Sequence, residues 1–414
     1  MPKDDTHTLC SASAPASVKS QRLQISMITE TYPPEINGVA MTCERMLRGL
    51  RQDGHGVQLV RPRQAADRAS ASADESVTIV PSLRIPLYPQ LQMGMPVQRR
   101  LLRAWRQQRP DLVHIDTEGP LGFAALSAAR QLAIPVVASF HTNFHRYSQH
   151  YHLGWLQPLV FGYLRYFHNR CSTTLVPTQA LAAELRNGGI STTDVLARGV
   201  DTQLFRPEHR DETLRRQWGI DHDHHVVLYV GRLAAEKNLA LAVTAFDAMR
   251  SVNPHLRFVL VGDGPQAQRL SRQRPDLVFA GTRTGVDLAR HYASADVFLF
   301  PSLTETFGNV VLEAMASGLA VVAFDQAAAQ QYIKPSESGL LAAAESPDQF
   351  INHAVILASQ PSLTRELGEK AHQAMQSLSW DRIHEGLLVI YRRVIEEARC
   401  HGGIAKSVSA FERV

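Results

Sequence analysis

Two successive series of short apolar segments, each alternating with stretches of helical periodicity, constrain the fold more than any other feature of this sequence. The first series comprises LQISMIT (Leu23–Thr29), HGVQLV, DLVHID (Asp111–Asp116), IPVVASF (Ile134–Phe140) and STTLVP (Ser172–Pro177). The second comprises HVVLYV (His225–Val230), RFVLV (Arg257–Val261), LVFAG (Leu277–Gly281), DVFLFP (Asp296–Pro301) and LAVVAF (Leu319–Phe324). Short apolar strands that alternate with helices indicate a parallel, doubly wound sheet. The sequence therefore predicts an α/β protein with two Rossmann-like domains that face a cleft.

The length of the chain, 414 residues, also exceeds what one hydrophobic core usually supports. A polar stretch with a proline follows Arg198 and is typical of an interdomain linker. We therefore expect a disordered leader (1–21), a first Rossmann-like domain (22–198), a linker (199–208), a second Rossmann-like domain (209–375), an amphipathic helix that packs back on the first domain (376–398) and a tail (399–414).

Composition argues against several classes of protein. The four cysteines are scattered without a C-x-x-C pair, so we expect neither a disulfide framework nor a cysteine zinc site. The polar leader lacks the apolar core of a signal peptide, and no apolar run approaches the roughly 18 residues that span a bilayer. These observations favour a cytoplasmic protein.

Charge is distributed unevenly along the chain. Residues 1–195 contain 20 Lys and Arg against 14 Asp and Glu, whereas residues 196–414 contain 23 against 25. A basic first half suits an anionic membrane or a nucleic acid, and chance can also produce it. Because the sequence has neither alternating aromatic and basic residues nor a recognised nucleic-acid-binding module, we expect no nucleic-acid partner.

Ligands bind beyond the carboxyl ends of the strands in doubly wound sheets. In the second domain, Gly231, Arg232 and Lys237 follow the strand His225–Val230. A glycine lets the backbone approach a ligand closely, and the two cations could neutralise a diphosphate. The alternative is an ordinary turn from strand to helix with two solvated charges.

Two glutamates flank a second candidate position. Gly308 and Asn309 lie where a helix begins, so that free N–H groups and the helix dipole favour an anion. Glu305, just before this helix, can accept hydrogen bonds from hydroxyl groups attached to that anion. Glu313 lies among apolar residues, where a vicinal diol such as ribose would supply the donors that a buried carboxylate needs. Alternatively, Glu313 is partly exposed on the edge of the helix.

The first domain has matching positions. Gly38 lies at a junction between loop and helix, His141 follows Ile134–Phe140, and Asp116 and Glu118 follow another strand. The loop before Gly38 is not the G-x-G-x-x-G fingerprint of dinucleotide-binding proteins. Each residue alone is more often structural, but together they would face one cleft.

Taken together, these motifs resemble a known enzyme family. The run from GRLAAEKNL through VGDGP to FAGTRTGVDLARHYASADVFLFPSLTETFGNVVLEAMASGLAVVA resembles the second domain of retaining family 4 glycosyltransferases, which have the GT-B architecture. The segments TETYPPEINGVA, HIDTEGPLG and FHTNFHRYSQHYHLGWLQPLV resemble its lipid-directed branch, alongside sulfoquinovosyl-, mannosyl- and glucosyl-lipid transferases. The similarity extends over about residues 22–398. It implies that the first domain faces the acceptor and that the second binds the nucleotide sugar.

The resemblance implies a role for each matched residue of the second domain. Glu305 and Glu313 occupy the two positions of the family's E-x7-E element, of which the first contacts the donor sugar and the second holds the ribose. Arg232 and Lys237 match the cations that bind the diphosphate. Arg283 lies where related enzymes read the base. The backbone amides of Phe307, Gly308 and Asn309 would meet the sugar and the phosphates.

In the first domain, His141 matches the histidine near the C6 hydroxyl and the anomeric centre of the sugar. Gly38 matches the loop that lies against the phosphates, although this chain has one glycine there where many relatives have a pair. Asp116 and Glu118 would lie on the acceptor side.

The resemblance also implies a retaining transfer that needs neither a metal nor another cofactor. The acceptor would attack from the face that the diphosphate leaves, and a phosphate oxygen would take its proton. A double displacement with Glu305 as the nucleophile remains an alternative. Two possible metal sites are less compatible with the sequence. The D-x-D motif in Asp221–His225 precedes a strand instead of following one. A zinc site is also conceivable, but no local carboxylate or cysteine completes it with His141, His145, His150 and His152.

The lipid-directed branch implies a membrane lipid as the acceptor, such as diacylglycerol or a glycolipid, with UDP-glucose or GDP-mannose as the donor. Val97–Pro110 is predicted to form a helix with Arg99, Arg103 and Arg106 on one face and Trp105 nearby. Such a helix suits peripheral binding to the cytoplasmic face of an anionic membrane. The aromatic run Leu153–His168 is too short to span a bilayer. Alternatively, the arginines are merely solvated and the aromatic run belongs to the core.

Other functions remain open at this point. The acceptor could be a soluble sugar or a polysaccharide. A nucleotide-sugar epimerase of similar fold would consume the donor without an acceptor. A scaffold that binds nucleotide sugars without turnover should lack Glu305 or the two cations, and this chain has all three.

Overall fold

The computed structural model describes residues 22–35, 37–64, 67, 76–85, 88–141, 157–220, 224–303, 305, 307–344 and 346–411. They form two domains, each built on a parallel sheet whose two faces are covered by separate apolar clusters. The predicted α/β fold with two Rossmann-like domains is therefore confirmed.

The first domain contains nine strands and five helices among these residues. The strands are β1 (Gln24–Ile28), β2 (Gly56–Pro62), β3 (Val77–Val80), β4 (Ser82–Ile85), β5 (Tyr88–Gly94), β6 (Leu112–Ile115), β7 (Val136–Ser139), β8 (Thr173–Val176) and β9 (Thr193–Val195). The helices are α1 (Gly38–Gln52), α2 (Gln98–Gln107), α3 (Pro120–Gln131), α4 (Gln157–His168) and α5 (Gln179–Asn187). The seven-stranded sheet has the order β3-β2-β1-β6-β7-β8-β9, and β4 and β5 form a separate antiparallel hairpin.

The second domain has six strands in the order β12-β11-β10-β13-β14-β15. They are β10 (Val226–Val230), β11 (Arg257–Val261), β12 (Val278–Gly281), β13 (Val297–Phe300), β14 (Ala320–Phe324) and β15 (Leu340–Ala342). The helices are α6 (Glu212–Gln217), α7 (Leu239–Val252), α8 (Ala267–Gln273), α9 (Gly285–Ala293), α10 (Asn309–Ala316), α11 (Ala327–Tyr332), α12 (Pro347–Ser359) and α13 (Pro361–Met375), with 3₁₀ turns at Pro207–His209 and Ala235–Lys237.

Both sheets have a position where the strand order reverses. In the first sheet β1 pairs with both β2 and β6, and in the second β10 pairs with both β11 and β13. Consecutive connections leave in opposite directions at such a position and open a crevice at the carboxyl ends of the strands. The residues that follow β1, β6, β10 and β13 are therefore the ones best placed to bind a ligand.

The chain crosses between the domains twice, and the two crossings lie side by side. Val200 forms a β-bridge with Ser379, and its N–H donates to the carbonyl oxygen of Leu378 at 3.0 Å. The last helix, α14 (Trp380–Phe411), then packs on the first domain, where the Tyr391 hydroxyl is hydrogen-bonded to His114 Nδ1. The structure extends this helix past the end predicted at residue 398, since no proline interrupts the segment that follows.

Helix α2 corrects one part of the predicted membrane-binding helix, the position of its tryptophan. The arginines of the helix are exposed, but Trp105 is 1% exposed and packs with Leu101 in the core beside α3. Leu101 and Trp105 are four residues apart, so they lie on the same face and bury it against the protein. The tryptophan therefore cannot insert into a membrane. No helix in the described part of the chain combines the length and apolarity needed to cross a bilayer.

Candidate active site

The candidate site lies where the carboxyl ends of the two sheets meet. Gly231 follows β10, and Asp116 follows β6. Contacts between the domains occur here, because a Cβ atom built on Gly38 would lie 3.8 Å from Asn309 Nδ2. The start of α1 and the start of α10, both predicted to approach a diphosphate, are therefore neighbours across the cleft.

Local backbone geometry determines where α10 begins. Gly308 precedes the helix with a φ of +88°, a left-handed conformation that glycine adopts without strain. Phe307 is buried, and its carbonyl oxygen accepts a hydrogen bond from the Ala328 N–H at 2.8 Å. The first N–H groups of a helix have no acceptor within the helix and can bind an anion.

Glu305 and Lys237 form an ion pair at the edge of this terminus. Their side chains are 13% and 15% exposed, and Ser302 Oγ donates a second hydrogen bond to Glu305 Oε1 at 2.8 Å. Partial burial strengthens the attraction between the charges because less water screens it. The sugar-binding carboxylate and one diphosphate-binding cation that the sequence suggested are thus in direct contact.

Arg232 lies two residues beyond the end of β10. Its Nη1 atom is 3.4 Å from Oε1 of the buried Glu236, and its side chain is 39% exposed. Gly231 has a φ of +150°, and a Cβ atom there would approach the Tyr229 hydroxyl to 3.0 Å. This position therefore strongly favours glycine.

Glu313 lies deeper along α10. The Tyr292 hydroxyl donates to Glu313 Oε2 at 2.9 Å. Burial raises the pKa of Glu313 to about 7, although the hydrogen bond from Tyr292 and the charge of Arg45 act in the opposite direction. The carboxyl group is therefore close to half ionised at neutral pH, and further hydrogen-bond donors would stabilise its charged form.

His141 and Asp116 form the first-domain side of the site. His141 Nε2 lies 2.6 Å from Oδ1 of the fully buried Asp116, and His141 Nδ1 lies 2.8 Å from Arg198 Nη2. Burial acts to raise the pKa of Asp116, but its interactions with His141 and Arg198 outweigh burial, and the pKa is lowered. Since an arginine can only donate, Nδ1 accepts and Nε2 carries the proton that is donated to Asp116.

Comparison with known proteins identifies the family. The family model "Glycosyltransferase Family 4" matches residues 36–204, and "Glycosyl transferases group 1" matches residues 224–360. A GDP-mannose-dependent alpha-mannosyltransferase of Corynebacterium glutamicum is 32% identical over 375 residues, which cover 90% of this chain and 89% of that protein. The chain belongs to glycosyltransferase family 4.

Two further similarities agree with this assignment. An alpha-monoglucosyldiacylglycerol synthase of Streptococcus pneumoniae is 26% identical over 88% of this chain and 85% of its own length. The structure of sucrose-phosphate synthase from Thermosynechococcus elongatus superposes with a TM-score of 0.73 at 20% identity, over 91% of this chain and 100% of the synthase chain. This similarity confirms the GT-B fold. The protein is therefore a GT-B glycosyltransferase that uses a nucleotide sugar.

Two predicted site residues of the glycosyltransferase have hydrogen-bond partners other than the residues described so far. Glu118 is buried, with Oε1 3.3 Å from His168 Nε2, and its carbonyl oxygen accepts a hydrogen bond from the Tyr163 hydroxyl. Arg283 follows β12 and binds the carbonyl oxygen of Ala280 at 2.9 Å and Asp287 at 3.2 Å.

Sequence reasoning missed several residues of the glycosyltransferase site. Ser302 and Tyr292 bind the two predicted glutamates, and Arg198 joins His141 to the start of α10. Arg198 escaped notice because it precedes the predicted linker rather than a strand end. The signal in the sequence that could have identified Arg198 was a cation at the boundary between the two domains.

The structure describes part of the two segments considered as metal sites. Within the described ranges, no three His, Cys, Asp or Glu side chains form a cluster that could hold a metal ion. Three residues of the D-x-D segment (221–223) and the histidine-containing segment 142–152 lie outside the described residues.

Proposed function

We propose that this glycosyltransferase moves a hexosyl group from a nucleotide-diphosphate sugar to a lipid hydroxyl, with retention at the anomeric carbon and without a metal or other cofactor. The ion pair of Glu305 with Lys237 beside the start of α10, opposite His141, carries the proposal. It joins a carboxylate suited to sugar hydroxyls with a cation suited to phosphate.

Departure of the diphosphate develops negative charge on the phosphate oxygens. Lys237, Arg232 and the first N–H groups of α10 would stabilise that charge, as preorganised cations and dipoles do in other enzymes. The diphosphate would draw Lys237 away from Glu305. The Glu305 carboxylate would then be able to accept hydrogen bonds from the donor sugar.

Transfer on one face of the sugar needs a group that orients the ring but no dedicated base. His141 is held by Asp116 on one nitrogen and by Arg198 on the other, which supports an orienting role near the C6 hydroxyl. A phosphate oxygen would take the proton of the acceptor hydroxyl. Glu305 Oε1 is already shared by Lys237 and Ser302, which favours binding of the sugar over nucleophilic attack.

The nucleotide would extend from this point along α10. Glu313 is suited to accept hydrogen bonds from both ribose hydroxyls, and Arg283 would lie toward the base. The mannosyltransferase relative from Corynebacterium glutamicum is GDP-mannose-dependent, so GDP-mannose is the first donor to test, with UDP-glucose second.

An exposed aromatic patch supports a lipid acceptor. It consists of Phe123 on α3 and Leu159, Tyr163 and Tyr166 on α4, which are between 37% and 68% exposed. The ring of Phe123 lies 6.3 Å from that of Tyr163 and 6.4 Å from that of Tyr166. Grouped apolar side chains on a surface commonly mark a binding site.

Two contacts relate the aromatic patch to the active site and to an anionic membrane. The Tyr163 hydroxyl donates to the carbonyl oxygen of Glu118, two residues beyond Asp116, so the patch adjoins the acceptor side of the cleft. The Arg170 guanidinium lies 3.4 Å above the Tyr166 ring, which puts a cation next to the apolar surface. Together they favour an enzyme that binds the cytoplasmic face of a membrane peripherally and takes its acceptor there.

Measuring donor consumption with and without an acceptor tests this function. The purified enzyme is incubated with GDP-mannose or UDP-glucose, alone, with anionic vesicles that contain diacylglycerol or glycolipid, and with soluble sugars. We expect release of nucleoside diphosphate only with the vesicles. Consumption without any acceptor would indicate an epimerase, and transfer only to soluble sugars would refute the lipid acceptor.

A further inference from the structure

Arg198 occupies an unusual position for an arginine. It lies one residue before Gly199, which packs against the backbone of Trp380 where the two interdomain crossings meet. Its side chain extends into the cleft and is buried, with an exposed fraction of 6%. Nη2 lies 2.8 Å from His141 Nδ1 and Nη1 lies 3.2 Å from Asn309 Oδ1, so one side chain contacts both domains.

The charge of Arg198 has no close counterion among the described residues. Its two hydrogen-bond partners are a neutral imidazole nitrogen and a neutral amide oxygen. Burial lowers the pKa of Arg198 to about 10, although the more distant carboxylates of Asp116 and Glu305 act to raise it. Buried charges are normally paired directly, so this guanidinium is suited to bind an anion that a ligand brings into the cleft.

The buried Arg215 shows the usual arrangement. It is 1% exposed, and its Nη1 atom lies 3.2 Å from Asp296 Oδ2. The two cations first assigned to the diphosphate are paired as well, Lys237 with Glu305 and Arg232 with Glu236. The charges within these pairs are in direct contact, whereas Arg198 has no directly bonded carboxylate among the described residues and is separated from Asp116 by His141.

The position of Arg198 suits the phosphate nearest the sugar. Its Nη1 atom lies 3.8 Å from the point that a Cβ of Gly38 would occupy, between that glycine and Asn309 at the start of α10. Its other contact is His141, on the side proposed to bind the sugar. The phosphate attached to the anomeric carbon would lie between these two sets of contacts.

We infer that Arg198 binds the sugar-linked phosphate of the donor and stabilises the leaving diphosphate as a third cation. The inference rests on the proposed function, since it requires a nucleotide-diphosphate sugar in this cleft. Through its contacts with His141 and Asn309, Arg198 would also make phosphate binding sensitive to the relative position of the domains.

The test is the selectivity of binding for a nucleoside diphosphate over the corresponding monophosphate. Calorimetry with GDP, GMP, UDP and UMP is performed on the wild type, Arg198→Gln and Arg198→Lys. We expect Arg198→Gln to bind the diphosphate about 10- to 100-fold more weakly, the range for loss of a charge-assisted hydrogen bond, and to bind the monophosphate almost as the wild type does. Arg198→Lys, which retains the charge, should recover much of this selectivity.

Thermal unfolding without nucleotide separates binding from a structural role. Arg215→Gln breaks a buried ion pair and should lower the Tm, whereas Arg198→Gln removes a charge without a close counterion and should lower it less. If Arg198→Gln does not fold, Arg198→Met, which suits the apolar Phe307 ring nearby, replaces it. An Arg198 variant that folds and keeps the wild-type selectivity overturns the inference alone. A wild type that binds neither diphosphate refutes the proposed function as well.

Discussion

The raised pKa of Glu313 predicts that nucleotide affinity depends on pH. The ribose diol donates hydrogen bonds, so it binds the ionised carboxylate, whereas the protonated group competes as a donor. Because the pKa in the folded protein is raised to about 7, the ionised fraction increases as the pH rises through neutrality. Affinity for nucleoside diphosphate should therefore be greater at pH 8 than at pH 6.

The size of the effect follows from the ionised fraction. A group with a pKa of 7 is about one-tenth ionised at pH 6 and about nine-tenths ionised at pH 8, so the contribution of Glu313 to affinity should increase about 10-fold. The terminal phosphate of the nucleotide also titrates near pH 6. The quantity to compare is therefore the pH dependence of the wild type minus that of Glu313→Gln.

Calorimetric titration with GDP and UDP at pH 6, 7 and 8 measures this difference. Glu313→Gln should bind more weakly at pH 8 and retain only the pH dependence of the phosphate. Glu337→Gln is the matched control, since Glu337 is 56% exposed and pairs only with the exposed Lys334 among the described residues. Equal pH dependence in the wild type and Glu313→Gln, with tight binding in both, would refute the assignment of Glu313 to the ribose.

Four further outcomes are expected. Lys237→Ala should lower kcat by at least ~100-fold while the protein remains folded, as loss of one preorganised charge typically does; wild-type kcat would contradict its role. Glu305→Gln should lower kcat more than it weakens binding of free nucleoside diphosphate, and the reverse pattern would argue against contact with the sugar. EDTA should leave activity unchanged, and loss of activity that Mn²⁺ restores would establish a metal requirement. In vesicle flotation the wild type should float with anionic vesicles but not with neutral ones, and the triple variant Arg99/Arg100/Arg103→Glu should float with neither. Equal flotation of the wild type and the variant with anionic vesicles would exclude α2 from membrane binding.

The fold could be predicted from the sequence largely because buried parallel strands are nearly continuous apolar runs. Val226–Val230 and Val297–Phe300 are buried throughout and were recognised on that basis. Strands β3, β4, β5, β9 and β15 were missed. Four of them have only three or four residues, and a run that short carries little pattern. Helix α2 was recognised as a helix, but the sequence does not reveal which of its faces is buried, and so Trp105 was assigned to the surface.

The candidate site was only partly predictable. Residues that follow a strand, such as Arg232 and Asp116, could be selected because topology brings the strand ends together. The partners of Glu313 and His141 could not be selected in this way, because Tyr292 lies within α9 and Arg198 lies where the chain crosses between the domains. Contacts of this kind depend on how helices and domains pack, which no local pattern encodes.

Analysis of the reaction product tests the central claim most directly. The wild-type enzyme is supplied with GDP-mannose or UDP-glucose and with anionic vesicles that contain diacylglycerol, and the lipid fraction is analysed by mass spectrometry and by NMR of the anomeric proton. The proposed function predicts a hexosyl lipid with the α-configuration of the donor, which Glu305→Gln forms far more slowly. A β-linked product, or release of nucleoside diphosphate without any glycosylated lipid, would contradict it.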